Sequence, residues 1–301
     1  MRRVLFWTLV ALELPAGVEL LGALAERASA DSGCVVRPDA EYIYPAFSPD
    51  GEWIAFTSNR CGDHDIFVVR PDGSDLRRLT DSPAVDAHAS WSPDGSRLTF
   101  DSQRDGNRET YVMNRDGSDQ RNVSVDPGND GGGHWTADGT GIVTDTDRFG
   151  NDEIVILDLE GGVRSRLTDH PGRDQAPAPL GEDRYVFESR RDGNREIYVT
   201  NGDGSDVRNL TSHDAHDFLP RPSPDGTRIA FFSMRDGQAE IYVMNADGGD
   251  LRRLTDNPAN DWMPSWSPDG RSLVFASNRE GAMQLFVMTA TGDSVRRIAI
   301  E

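Results

Sequence analysis

Lysine is absent from this chain of 301 residues, so all 31 basic side chains are arginines. A bias of that kind is what a skewed genome produces, and it assigns no function by itself. Basic charge is also scarce beside 51 Asp and Glu, which leaves a formal net charge of −20. Nucleic acid and anionic lipid need clustered positive charge, so neither is expected as a partner. Only two cysteines occur, Cys34 and Cys61, which allows at most one intrachain disulfide. Long apolar runs are missing too. The longest, Val4 to Leu12, is too short for a membrane span and is soon followed by Pro15. No Gly-x-Ser-x-Gly nucleophile elbow is present.

What is there begins with a leader-like segment. Arg2 and Arg3 precede the apolar run, and the stretch closes on Ala28-Ser29-Ala30. This is the outline of a secretory signal peptide, so residues 1–30 are expected to be removed and the mature chain to be periplasmic or secreted from a bacterium. Glu13, Glu19 and Glu26 are untidy for such a leader and leave a cytoplasmic amphipathic helix or a misassigned start as the alternative. Loss of the leader removes three Arg and three Glu, so the charge does not change. In an oxidising compartment Cys34 and Cys61 would form a disulfide tying the mature N-terminus to the first repeat. A lipid-anchored Cys34 is the other reading, but Asp31-Ser32-Gly33 lacks the apolar residue expected upstream.

The remainder is one phrase written six times. Ser-Pro-Asp-Gly stands at 48–51, 92–95, 223–226 and 267–270, with Thr136-Ala137-Asp138-Gly139 and Leu180-Gly181-Glu182-Asp183 as eroded copies. The positions after each turn, Phe56, Phe100, Thr144, Phe187, Phe231 and Phe275, are spaced by 44, 44, 43, 44 and 44 residues. A period of about 40–50 residues carrying strands is the mark of a β-propeller. In the second repeat, strands are predicted over 87–91, 97–102, 110–114 and 120–124, separated by turns in which Pro presets φ and Gly accepts a positive φ. Four short strands cannot bury both faces alone, so neighbouring blades must cover them. The fold is therefore expected to be all-β, a six-bladed propeller of four-stranded antiparallel blades filling residues 31–301, with repeats near 35–79, 80–123, 124–167, 168–210, 211–254 and 255–301. A monomer is expected.

The string Leu/Ile-Thr, then Asp, Trp-Ser-Pro-Asp-Gly, Phe-x-Ser-x-Arg-Asp-Gly and Glu-Ile-Tyr-Val-Met-Asn-x-Asp-Gly is fullest at Leu210 to Asp247 and Leu254 to Gly292. It resembles the TolB-type propeller repeat, a relative of the WD-repeat class, over essentially all of residues 35–301. The resemblance implies a six-bladed propeller, in the bacterial periplasm or outside the cell, that serves as a protein-binding scaffold. The N-terminal α/β domain of TolB has no counterpart here, so the Tol–Pal role is not carried over. The same repeat caps prolyl-oligopeptidase-like enzymes, but no hydrolase domain accompanies it in this sequence.

Measured from the turns, one acid recurs. Asp86, Asp130, Asp174, Asp217 and Asp261 each open an innermost strand, where the first repeat has Tyr42 beside Glu41. Symmetry would place these carboxylates in a ring at the channel mouth, where they could bind a divalent cation, most plausibly Ca²⁺, or a cationic group of a partner. The alternative is that each Asp caps its own incoming loop. Phe218, Trp262, Tyr42 and Tyr44 lie beside the ring in contiguous blades and form either a binding patch or ordinary core. Arg60, Arg104, Arg148, Arg191, Arg235 and Arg279 stand five residues before Asp65, Glu109, Glu153, Glu196, Glu240 and Gln284, which suggests ion pairs across the hairpin tip in all but the last. His213-x-x-His216 has passable zinc spacing but stands as an isolated pair.

Two functions follow. The first is a noncatalytic scaffold holding a protein or peptide at the acidic channel mouth, with no certain cofactor. The second is a calcium-dependent propeller hydrolase of the lactonase or phosphotriesterase kind, for which the even repetition of the acids singles out no catalytic residue.

Overall fold

A computed structural model describes Cys34 and residues 36–300. The leader assigned to residues 1–30 lies outside the described residues. The chain forms six four-stranded antiparallel sheets, each built from four consecutive strands. The innermost strands are Tyr42–Phe47, Asp86–Trp91, Asp130–Trp135, Asp174–Pro179, Asp217–Pro222 and Asp261–Trp266. This is the six-bladed propeller that the 44-residue period requires. In the second blade the strands run Asp86–Trp91, Arg97–Ser102, Glu109–Asn114 and Arg121–Asn122. The outer strand is shorter than expected, pairing with its neighbour only at Arg121 and Asn122. Among the described residues no helix is long and apolar enough to cross a membrane.

The Ser-Pro-Asp-Gly phrase works as a closed turn. Gly95 N–H donates to Ser92 O at 2.9 Å, Ser92 Oγ accepts from Arg97 N–H at 2.9 Å, and the Asp94 carboxylate accepts from Ser92 Oγ and Ser96 N–H. Those hydrogen bonds hold Asp94 down at about 2. Gly95 sits at φ +68°, a conformation that costs a residue with a side chain. Two residues beyond the turn the second strand enters the core, where Phe56, Phe100, Phe187, Phe231 and Phe275 are at most 1% exposed. The third blade has Thr144 instead, which donates to Gly131 O at 2.8 Å.

Blades meet through apolar side chains and a few backbone approaches. Trp91 Nε1 donates to Ala46 O of the preceding blade at 3.1 Å, and Trp266 Nε1 does the same to Arg221 O at 2.8 Å. At the outer rim Gly117, at φ +86°, lies so close to the preceding blade that a Cβ there would fall 2.7 Å from Leu79 O.

The ring closes without exchanging a strand, since the first and last sheets are each continuous in sequence. Ile54 and Phe56 share one apolar cluster with Val274 and Leu285 of the sixth blade. Tyr42 N–H donates to Met283 O at 2.9 Å, and Gln284 Nε2 to Ala40 O at 3.2 Å. Cys34 is bonded to Cys61 in the first blade, with the Cα atoms 4.8 Å apart. A bridge over 27 residues restricts the unfolded chain by about 3.5 kcal/mol in the loop-entropy treatment.

Candidate functional site

Each inner strand begins at one mouth of the central channel and ends at its turn on the other side. The five acids that open these strands do not gather around a common point. Asp86, Asp130, Asp174, Asp217 and Asp261 are all fully buried, and each is held by the arginine 17 or 18 residues later in its own blade. Nη2 of Arg104, Arg148 and Arg191 lies 2.8 Å from its Asp, and that of Arg235 and Arg279 lies 2.9 Å away. Burial raises Asp86, Asp130 and Asp174 above the usual carboxylate range, while neighbouring hydroxyls and the arginines pull them back. The Asp N–H groups bond the preceding blade, as in Asp86 N–H to His64 O at 2.8 Å.

Arg104, Arg148, Arg191 and Arg235 thus take a different acid from the one expected. Ser102 stands opposite Asp86 on one side and Glu109 on the other, so Arg104 can fold back in either direction. It lies over Ser102 Oγ, at 2.8 Å, toward Asp86, because Glu109 is already engaged by Ser124 Oγ and Asn107 Nδ2. The guanidinium also covers the Phe100 and Tyr111 rings, 5.5 and 4.8 Å from their centroids. Glu153 and Glu240 likewise accept from Thr168 and Thr255. With an arginine on every carboxylate, the five Asp clasp the blades. Among the described residues no group of three or more His, Cys, Asp or Glu is arranged to hold a metal ion. His213 and His216 use Nδ1 to accept from Ala215 N–H and Arg195 N–H, each at 3.0 Å.

The four aromatic residues separate into two kinds. Tyr42 is buried with its edge on Phe56, and Phe218 is buried and stacked on Phe232 with centroids 4.7 Å apart. Tyr44 and Trp262 are half-buried. Tyr44 lies on the His88 ring at 3.8 Å, and burial, reinforced by Asp101 and Glu188, pushes its hydroxyl up to about 12.

What separates them is a bulge that alternation did not reveal. The third residue of every inner strand has a left-handed backbone: Tyr44 (φ 53°), His88 (58°), Gly132 (65°), Ala176 (51°), Leu219 (49°) and Met263 (58°). Pairing with the second strand slips at these same positions. A left-handed residue other than Gly costs of order 1 kcal/mol, and such strain concentrates at functional positions. All six of these residues are half-buried between flanking residues that are mostly buried.

The N–H of the bulge residue is met by a side chain on the second strand of the preceding blade. His88 donates to Thr57 Oγ1 at 3.3 Å, Gly132 to Asp101 at 3.0 Å, Ala176 to Asp145 at 3.1 Å and Leu219 to Glu188 at 2.7 Å. The same position holds Phe232 and Ala276 in the fifth and sixth blades. One side of the channel is therefore polar and the other apolar. The polar wall carries internal pairs: His88 Nδ1 to Asp101 at 3.0 Å, Arg108 to Asp145 at 2.6 Å and Arg195 to Glu188 at 2.7 Å. Gly131 makes room for Arg108, since a Cβ there would lie 2.3 Å from Nε. Burial pushes Asp145 up to about 7 against the pull of Arg108. The apolar wall is Leu219, Met263 and Trp262, backed by Phe232.

Comparison with known proteins agrees with this architecture. The TolB beta propeller domain matches residues 28–146 and 212–301. An uncharacterized protein of Agrobacterium fabrum is 55% identical over 38 residues, 13% of this chain and 13% of its own length. The Tol-Pal system protein TolB of Syntrophus aciditrophicus is 51% identical over 37 residues, 12% of this chain and 8% of that protein. The chain thus aligns with only a small part of these two relatives. A solved TolB candidate from Agrobacterium tumefaciens superposes with a TM-score of 0.68 at 25% identity, covering 78% of this chain and 88% of that one.

Proposed function

The chain belongs to the TolB β-propeller family, and from that premise we propose that it is a noncatalytic extracytoplasmic scaffold that holds a protein or peptide at the channel mouth. The observation that carries this reading is the ring of left-handed residues, five of them not glycine, dividing the channel into a polar and an apolar wall. A propeller needs no such asymmetry to stand, whereas a bound segment with one polar and one apolar side would use it. In this reading residues 1–30 direct export, residues 31–301 form one monomeric domain, and the Cys34–Cys61 bridge belongs to an oxidising compartment such as the periplasm. The net charge of −20 favours a partner that presents positive charge outside the channel. The calcium-dependent hydrolase draws no support from the Asp ring, whose carboxylates are occupied by arginines.

The test is capture of partners from the native envelope on the immobilised full chain, beside Leu219→Asp. Leu219 is half-buried and contributes to the apolar wall. A partner retained by the wild type and lost by a Leu219→Asp protein of unchanged melting temperature supports the reading. Equal retention by both would sink it.

A further inference from the structure

Two positions beyond the bulge, the inner strands carry Ala46, Ser90, His134, Ala178, Arg221 and Ser265. Only His134 and Arg221 are large, and they stand on the third and fifth blades with the small Ala178 between them. The Arg221 charge acts on Tyr44 of the first blade, His134 of the third and Glu188 of the fourth. Blades one and three each stand two blades away from the fifth, on either side of it. Groups on all three come within range of one another only toward the axis, so the guanidinium lies toward the channel.

Arg221 differs from the other arginines around the channel. The five clasp arginines, Arg108 and Arg195 each hold a carboxylate. Arg221 makes a hydrogen bond from Nη1 to its neighbour Pro220 O at 3.0 Å, and among the described residues no carboxylate lies within ion-pair distance of it. The acid that acts on it most strongly is Glu188, but both oxygens of Glu188 are used, one by Arg195 and one by Leu219 N–H, each at 2.7 Å. Burial brings Arg221 down to about 10, a sign that its charge is incompletely compensated.

A second donor lies across from it. Ser90 Oγ and His134 Nδ1 are 2.9 Å apart. Burial, followed by the charges of Arg221 and His88, lowers His134 well below its usual range, so the ring is neutral. In the tautomer whose Nδ1 accepts from Ser90 Oγ, the ring proton is on Nε2 and can be donated to a ligand. The local inventory is a guanidinium fork that donates to the Pro220 carbonyl and a neutral imidazole bonded to Ser90. Leu219 lies on the same strand as Arg221, and Met263 on the inner strand of the next blade. A carboxylate satisfies such a fork in two parallel hydrogen bonds. A phosphate dianion fits less well, because Asp101 and Glu188 lie nearby and the whole chain is strongly acidic.

We propose that the channel contains a carboxylate-binding site centred on Arg221 and completed by His134, which takes the free C-terminus or an acidic side chain of a peptide whose neighbouring apolar residue lies on Leu219 and Met263. The site rests on the reading of the channel mouth as a peptide-binding face and names the chemistry that face selects.

The experiment is calorimetric titration of the full chain with three probes: acetyl-Gly-Leu-Phe with a free carboxylate, the same peptide as its C-terminal amide, and acetyl-Gly-Asp-Phe amide. A preference of tenfold or more for the free acid over the first amide supports the site and identifies a chain terminus. The same preference for the Asp peptide supports it and identifies an internal acid. In Arg221→Gln either preference should vanish. Arg221→Lys keeps the charge without the fork and should weaken the preference severalfold, which keeps the test available if the Gln variant does not fold. Failure of both acids to bind, or a preference that survives in Arg221→Gln, would overturn the proposal. Binding of the plain amide as tight as both acids, weakened by Leu219→Asp, would also overturn it while leaving the peptide-binding face intact.

Discussion

Replacing Arg235 by Met isolates what the recurring Asp–Arg pair contributes. Asp217 is fully buried, and both its carboxylate oxygens accept from Arg235 Nη2, at 3.0 and 2.9 Å. Arg235 also donates from Nε to Ser233 Oγ at 2.8 Å and covers the Tyr242 ring 4.9 Å from its centroid. Methionine keeps the stem over the ring but leaves an unpaired carboxylate in the interior. Each hydrogen bond to a charged group is worth roughly 1.5–3 kcal/mol, and breaking a buried ion pair from one side costs about 3–5 kcal/mol. At ~2–4 °C per kcal/mol for a chain of this size, the melting temperature should fall by roughly 6–20 °C. Urea unfolding followed by tryptophan fluorescence measures the same loss isothermally.

The refuting results come from the thermodynamic cycle. Asp217→Asn removes the buried charge, so the double variant Asp217→Asn/Arg235→Met should be more stable than Arg235→Met alone, with a coupling of up to about 3 kcal/mol. Additive effects, or a loss below about 1 kcal/mol in Arg235→Met, would show that the pair does not clasp the blade. Calcium separates the two accounts of the ring. If these carboxylates served a cation, millimolar Ca²⁺ would stabilise the wild type and would stabilise Arg235→Met more. The clasp predicts no response in the wild type.

Two further perturbations probe the blade contacts and the channel. Gly117→Ala places a Cβ 2.7 Å from Leu79 O at φ +86°, whereas Gly106→Ala, at φ +102°, meets nothing within 4 Å. Both should destabilise by about 1 kcal/mol through backbone strain, and Gly117→Ala by 1–2 kcal/mol more; equal losses in urea unfolding would refute the close approach of the blades. His134 has its folded value depressed below 6.5 by burial and by Arg221, so the stability it contributes is present above about pH 6.5 and is lost as the pH falls below it. His134→Gln should therefore lose less stability than the wild type between pH 7 and pH 5, by at most ~1.4 kcal/mol per pH unit; parallel pH profiles would contradict a buried neutral imidazole.

Much of the fold was legible because each blade reuses one solution. The Phe56-to-Phe275 spacing fixes six units, and in the second blade the three inner strands begin and end within a residue of expectation. The partner of Arg104 was not legible. Asp86 and Glu109 flank the same Ser102 in the sheet, so strand order permits either ion pair. The outcome depends on Ser124, a residue 15 positions away, engaging Glu109. Which aromatic residues are buried was not legible either: Tyr42 and Phe218 are buried, whereas Tyr44 and Trp262 are half-buried. Period-two alternation assigns faces only while the strand stays regular, and the left-handed residue at Tyr44 and Met263 resets that alternation inside a strand of six residues.

The same bulge changes the meaning of the eroded repeats. Thr144 for Phe and Gly131-Gly132-Gly133 in the third inner strand look like decay of the pattern. In the structure the missing Cβ of Gly131 is what admits Arg108, which pairs with Asp145, whose carboxylate in turn holds the bulge of the fourth blade through Ala176 N–H. Charge in this interior requires volume, and volume comes only from small residues on the adjoining strand. Departure from the consensus in the third blade is thus the physical condition for a polar wall, just as Phe232 and Ala276, which offer no acceptor, are the condition for an apolar one. A partner bound at the axis would distinguish the six blades by the one position at which they differ most, while the Asp–Arg clasps that make them alike bear on stability. Substitutions at the clasps should therefore move the melting temperature, and substitutions along the bulge ring should move affinity with little change in it.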